Sequence, residues 1–134
     1  MNEITVKGWI LKAENDFKTG KDEMATSDPA TDTVCFHMQQ CVEKYLKAFL
    51  IFSNKEIRKT HDIGELIYMC IEVDPEFKKL FNAEADELTK YAVEIRYPDD
   101  LYFPPIEEAR ESIEITAKAK GFVLEKLVSN GYNG

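Results

Sequence analysis

Residues 35–52 read CFHMQQCVEKYLKAFLIF, and the polar residues inside this otherwise apolar run are the first candidates for chemistry. On a helix each residue advances about 100°, so His37, Gln40, Lys44 and Lys47 fall within about 80° of one another. They form one polar stripe, with Glu43 beside it and placed to pair with Lys47 at i,i+4. A stripe of this kind is either the wet edge of a buried helix or the wall of a surface where an anion binds. Between Lys44 and His61 the chain carries five basic residues against one acidic. Such a local patch can steer an anionic ligand even on an acidic protein, because salt screens charge beyond roughly 10 Å.

The second candidate stretch is KYAVEIRYPDDLYFPP, residues 90–105. Arg96 stands at the expected end of a helix, because Pro98 restrains Tyr97 toward extended geometry. A guanidinium held there beside Tyr97 and Tyr102 suits a phosphate and a base. The structural alternative is a capping arginine that satisfies helix carbonyls and pairs with Asp99 or Asp100.

Familiar catalytic templates are missing. The six glycines never approach a dinucleotide or phosphate loop, there is no G-x-S-x-G elbow, and no C-x-x-C pair occurs. His37 and His61 are the two histidines and do not form an H-x-x-x-H pair, so no metal and no cofactor is expected. Cys35 and Cys41 point to different faces of a helix. Three cysteines cannot pair completely, so buried free thiols are expected.

With 134 residues the chain forms one domain and can bury a core without metals or disulfides. A net charge of −8 argues against tight nonspecific nucleic-acid binding. The first residues lack the pattern of a signal peptide, and the longest apolar run is too short to cross a bilayer, so a cytoplasmic protein without membrane contact is expected.

Apolar spacing positions these candidates on helices, with no sustained two-residue alternation. Helices are expected over about 4–21, with Gly20 weakening the end, and over about 29–54, with Ser27 or Asp28 as cap and Pro29 in the first turn. The second helix has too wide an apolar face for one neighbour and should be central. Asp62, with Glu65 three residues on, opens a short helix over 63–73. Asp74 and Pro75 open another that continues to about 96, kinked near Asn82. The last helix runs over 106–128 and ends at Asn130-Gly131. The expected fold is all-α, an antiparallel up-and-down bundle of four to five helices, with a homodimer as the expected assembly.

Three blocks, FHMQQCVEKYLKAFL (36–50), KTHDIGEL (59–66) and YAVEIRYPDD (91–100), resemble the signature segments of the HEPN domain family, in order and on the same helices. The region of Trp9 and the EEA at 107–109 fit as well, so the resemblance spans nearly the whole chain. It implies an all-α bundle, commonly dimeric, often encoded beside a small nucleotidyltransferase in prokaryotic toxin–antitoxin or defence systems. Many relatives resemble one another in a metal-independent ribonuclease site, an arginine followed after four to six residues by histidine. Arg96 matches the arginine, but Leu101, Tyr102 and Phe103 stand where the histidine would be. The resemblance therefore implies a protein that binds a nucleotide or RNA through His37, Gln40, Lys44, Lys47, His61, Arg96 and Tyr97 and acts with a nucleotidyltransferase partner. A dimeric ribonuclease using Arg96 with Tyr102 or His61 is the alternative, and a structural dimerisation module the third.

Overall fold

The structure is a computed structural model and describes residues 3–94 and 102–134. α1 (Glu3–Met24) and α2 (Thr31–Phe52) pack antiparallel: Gly20 lies against Val34 and Met38, Asp16 reaches His37 and Lys44, and Trp9 lies beside Lys47. Gly20 does not end α1. A Cβ there would stand 2.4 Å from the Met38 methyl carbon, so the glycine leaves the room that the Met38 side chain occupies.

α2 begins at Thr31, later than expected, and neither Ser27 nor Asp28 caps it. The cap residue is Ala30, whose N–H donates to the Glu23 carboxylate of α1 at 2.9 Å. A neighbouring helix thus supplies the acceptor that a local side chain usually provides. At its other end, Asn54 adopts φ +61° while the N–H groups of Asn54 and Lys55 donate to Ile51 and Leu50. This left-handed turn stops the helix and starts a return passage, 53–62, along its side.

α3 (Ile63–Val73) then rises beside α2, from His61 near Gln39 to Cys70 near Leu46. Asp62 accepts the Glu65 N–H at 3.2 Å, as its spacing predicts. The next segment departs from the expected single helix. It is a chain of short turns: a 3-10 turn (Pro75–Lys78), α4 (Lys79–Asn82), a second 3-10 turn (Ala85–Lys90) and α5 (Tyr91–Glu94). Glu84 breaks it with φ +64°. Phe77, Leu80, Ala85, Leu88 and Tyr91 are its buried residues, and the three-residue spacing within the turns brings them to one face in a three-per-turn helix.

α6 (Ile106–Ser129) runs parallel to α2, from Lys120 beside Glu14 to Tyr132 against Phe52. Its end is built as expected: Gly131, at φ +103°, donates to Val128 while Tyr132 donates to Leu127. The fold is all-α with no strand among the described residues, and the up-and-down order includes the extended 53–62 passage as one descending pass.

α2 is central and has no exposed residue over 31–52. Its Phe49 ring meets Phe77, which meets Phe122 of α6, tying three elements together at centroid distances of 4.4 and 5.0 Å. Full burial of one such ring contributes about 1.5–3 kcal/mol. Cys35, Cys41 and Cys70 are buried free thiols, and burial pushes the Cys41 and Cys70 thiols well above their ordinary range. They are packing groups, not nucleophiles.

Candidate functional site

The polar stripe of α2 divides between two carboxylates. Asp16 of α1, 8% exposed, takes His37 Nδ1 at 2.8 Å on one oxygen and Lys44 Nζ at 2.5 Å on the other. Burial of Asp16 would be costly without such partners, and these two cations or donors supply them across the α1–α2 seam. His37 also meets the Phe36 ring edge-on.

Glu43 of α2 is 3% exposed and gathers three partners. Lys47 Nζ donates at 2.7 Å, Gln39 Nε2 at 2.9 Å, and His61 Nδ1 stands at 3.0 Å. Burial raises the Glu43 pKa, but the hydrogen bonds from Lys47, Gln39 and His61 outweigh it and hold the carboxyl below its ordinary range. Gln39 Nε2 also donates to the His61 carbonyl at 3.1 Å, so the backbone of the return passage is pinned at this point. Gln40 joins the same group by donating to Gln39 Oε1.

A carboxylate accepts and does not donate, so in this pairing His61 Nδ1 is the donor and Glu43 orients the ring. The His61 side chain is 47% exposed against 24% for His37. Of the two histidines it is the one with both an orienting carboxylate from a second element and substantial solvent access.

Lys47 connects this group to an aromatic surface. Its ammonium lies 5.7 Å from the centre of the Trp9 ring while bonded to Glu43. Trp9, Thr5, Gly8, Lys12 and Lys44 line a depression of about 500 Å³, with open space above Gly8. An indole wall flanked by lysines can stack a flat ring and hold an anion at its edge.

A third carboxylate system includes Tyr102. Glu108 accepts from Tyr91 and from Tyr102, the latter at 2.6 Å. Burial works against the Glu108 charge, but the two phenols and Lys90 hold its carboxyl below the ordinary range. Burial and Glu108 push the Tyr91 phenol far up.

Of the expected site residues, the fold brings Lys47 and His61 together on Glu43, with Gln40 joined only through Gln39, and sets His37 and Lys44 on Asp16. Tyr102 is held by Glu108. Arg96 and Tyr97 lie outside the described residues, as do Asp99 and Asp100. Sequence reasoning missed Asp16, Gln39 and Glu108 as organisers and Trp9 as the wall of the depression. Trp9 could have been suspected, being the only tryptophan and standing between Lys7 and Lys12. No His/Cys/Asp/Glu group suited to a metal occurs among the described residues, and no described helix is long and apolar enough to cross a membrane.

The sequence profile of the HEPN domain matches residues 6–127. The chain is 32% identical over 130 residues to a Methanocaldococcus jannaschii protein named "Putative toxin MJ1304", covering 90% of this chain and 84% of that one. Two crystal structures are similar in fold. The archaeal HEPN homologue ST0689 is 26% identical with a TM-score of 0.66, covering 91% of this chain and 97% of the other. The protein TT1696 from Thermus thermophilus is 26% identical with a TM-score of 0.72, covering 91% of this chain and 98% of the other.

Proposed function

Because the chain belongs to the HEPN domain family, we propose that it is a toxin-like protein that binds a nucleotide or RNA and acts with a partner nucleotidyltransferase. One observation carries the binding part. Lys47 is at once the cation over Trp9 and the partner of Glu43, so the aromatic depression and the His61 group lie on either side of one lysine, and the ligand is proposed to run from one to the other as a track. A base stacks on Trp9, its phosphate meets Lys12 and Lys44, and the next nucleotide reaches His61. Arg96 and Tyr97 are proposed to complete the track as phosphate clamp and second ring. The nucleotidyltransferase partner rests on the family resemblance and on the similarity to a protein named as a toxin. A homodimer in the cytoplasm is part of the same reading.

The Glu43–His61 pairing favours a second reading, a metal-independent ribonuclease in which His61 replaces the missing motif histidine. His61 Nε2 takes the proton of a ribose 2′-hydroxyl, whose oxygen attacks the adjacent phosphorus. The bond to the 5′-oxygen breaks as that oxygen gains a proton, leaving a cyclic phosphate. Arg96 balances charge on the phosphate oxygens, and Tyr102 is the candidate proton donor once it parts from Glu108.

The test measures binding and cleavage of a fluorescent single-stranded RNA in the presence of a chelator. Trp9→Ala should weaken binding about tenfold, within the 1–3 kcal/mol of one stacked base, and Lys12→Glu should weaken it in a salt-dependent manner. Binding equal in wild type and both variants removes the track as the site. Cleavage by wild type that disappears in Arg96→Ala and His61→Gln supports the second reading, and binding without cleavage supports the binding part of the first.

A further inference from the structure

The outer face of α3 carries a groove that the proposed nucleotide track does not use. Gly64, Glu65, Tyr68, Met69 and Glu72 share that face, while Ile63, Leu66, Ile67 and Cys70 are buried on the other. The groove encloses about 510 Å³, within the range of well-formed ligand sites. Its wall is Tyr68, which is 66% exposed although its ring rests on Phe81 at a centroid distance of 5.0 Å. No large apolar residue among those described is more exposed. The floor stays open because residue 64 is glycine: a Cβ there would enter the space between Asp62 and Phe81, at 3.2 Å from the Asp62 carboxylate.

Charge around this aromatic wall is mostly negative. Asp62 and Glu65 stand at the start of α3, Glu72 at its end, and Asp86 faces them from the second 3-10 turn. The single cation is Arg58, which pairs with Glu65 at 3.1 Å while remaining 68% exposed, so solvent and salt weaken that pair. Glu72 and Asp86 make no ion pair among the described residues, and they approach the groove from different elements. An exposed ring set among four carboxylates suits a guanidinium or ammonium lying on the ring with its donors directed to the rim. The same field repels a polynucleotide.

We infer that this groove docks a partner protein through an Arg- or Lys-bearing segment, with one cationic side chain laid on Tyr68 between Glu72 and Asp86. Its aliphatic stem covers Met69 and Phe81, which explains why an apolar floor and an acidic rim occur together. The inference is independent of the nucleotide track and stands or falls without it.

The test uses the full chain and an array of eight-residue peptides with two Arg or Lys residues at varied spacing, each beside a counterpart with Glu in their place. Bound peptides are then measured in solution by fluorescence anisotropy. A subset of the cationic peptides should bind at least tenfold tighter than its counterparts, and Tyr68→Ala or the pair Glu72→Gln with Asp86→Asn should each remove that preference. Tyr68 and Glu72 are exposed and Asp86 is half-buried, so circular dichroism checks that each variant folds. Doubling the salt should weaken the wild-type interaction severalfold. The inference is overturned if no peptide shows the preference, or if the variants retain it. It is also overturned if spermine displaces the peptides at equal concentration, which would make the groove a polyamine site, or if an RNA oligonucleotide binds there in a Tyr68-dependent manner.

Discussion

His37 and His61 both place Nδ1 against a buried carboxylate at nearly equal distance, yet their surroundings assign them different work. The Asp16 pair lies in the seam between two long antiparallel helices, and Lys44 shares the same carboxylate. His37 thereby helps to offset the burial of that acid. The Glu43 pair is assembled differently: the carboxylate is on α2, but His61 arrives on the extended return passage, pinned there by Gln39 through its own carbonyl. Ring orientation comes from one element and solvent access from another. The same pairing of histidine with buried carboxylate is therefore enclosed in a helix seam in one place and open to solvent in the other.

The largest expected difference between the two regions is in activity. If the ribonuclease reading holds, His61→Gln should lower single-turnover RNA cleavage by about 10²–10⁴-fold, the usual worth of a general acid or base. His37→Gln should leave cleavage within about twofold. Equal losses in the two variants would erase the distinction, because they would mean that both histidines act only by holding the bundle together.

Stability should separate the regions next. Glu43→Ala leaves the Lys47 ammonium, 8% exposed, without its carboxylate, and Gln39 without one acceptor. Breaking a buried pair in this way costs about 3–5 kcal/mol. Asp16→Ala frees Lys44 and His37, whose side chains are 20% and 24% exposed and can turn toward water. Its cost should be about 1–2 kcal/mol, that of losing hydrogen bonds to a charged group partly repaid by hydration. Urea unfolding of the two variants measures the gap, and a reversed order would make Asp16 the rigid group and Glu43 the adaptable one.

The same contrast explains what could be read from the residues before the fold was known. Interactions within one turn were legible: the Glu43–Lys47 pair, the Asp62 cap, the Gly131 ending and the central position of α2 all follow from spacing along a helix. Asp16 was not, because it lies 21 residues from His37 and 28 from Lys44 and meets them only when α1 folds back. The Trp9–Lys47 contact and the Glu23 acceptor at the start of α2 escaped for the same reason. Residues 75–94 were misread more locally. Apolar residues three apart fit one face of an α-helix as well as a 3-10 turn, and Glu84, an unexceptional residue by composition, adopts the left-handed conformation that divides the segment. Arg96 and Tyr97, on which the family resemblance places most weight, lie outside the described residues, so their role is a proposal tied to the variants above.

The smallest effect expected is in the acid limb of stability. The folded-state pKa of Glu43 lies below its ordinary value of 4.5, so the unfolded chain takes up this proton first as the pH falls. The stability it contributes is therefore fully present above about pH 4.5 and is lost as the pH drops through the lower folded value. Below that point the Lys47 ammonium is left beside a neutral acid. Glu43→Gln should be less stable than wild type at pH 6 and should lose less between pH 5 and pH 3, so the two curves converge in acid. Glu14, held low by Lys120 and Tyr45 against the cost of burial, and Glu108, held low by its two phenols, keep their own contributions, so the variant's slope should flatten without vanishing. Parallel curves would mean that the Glu43 charge survives unfolding in an equivalent pairing. The contrast with Asp16 would then rest on packing around the carboxylate and not on its charge.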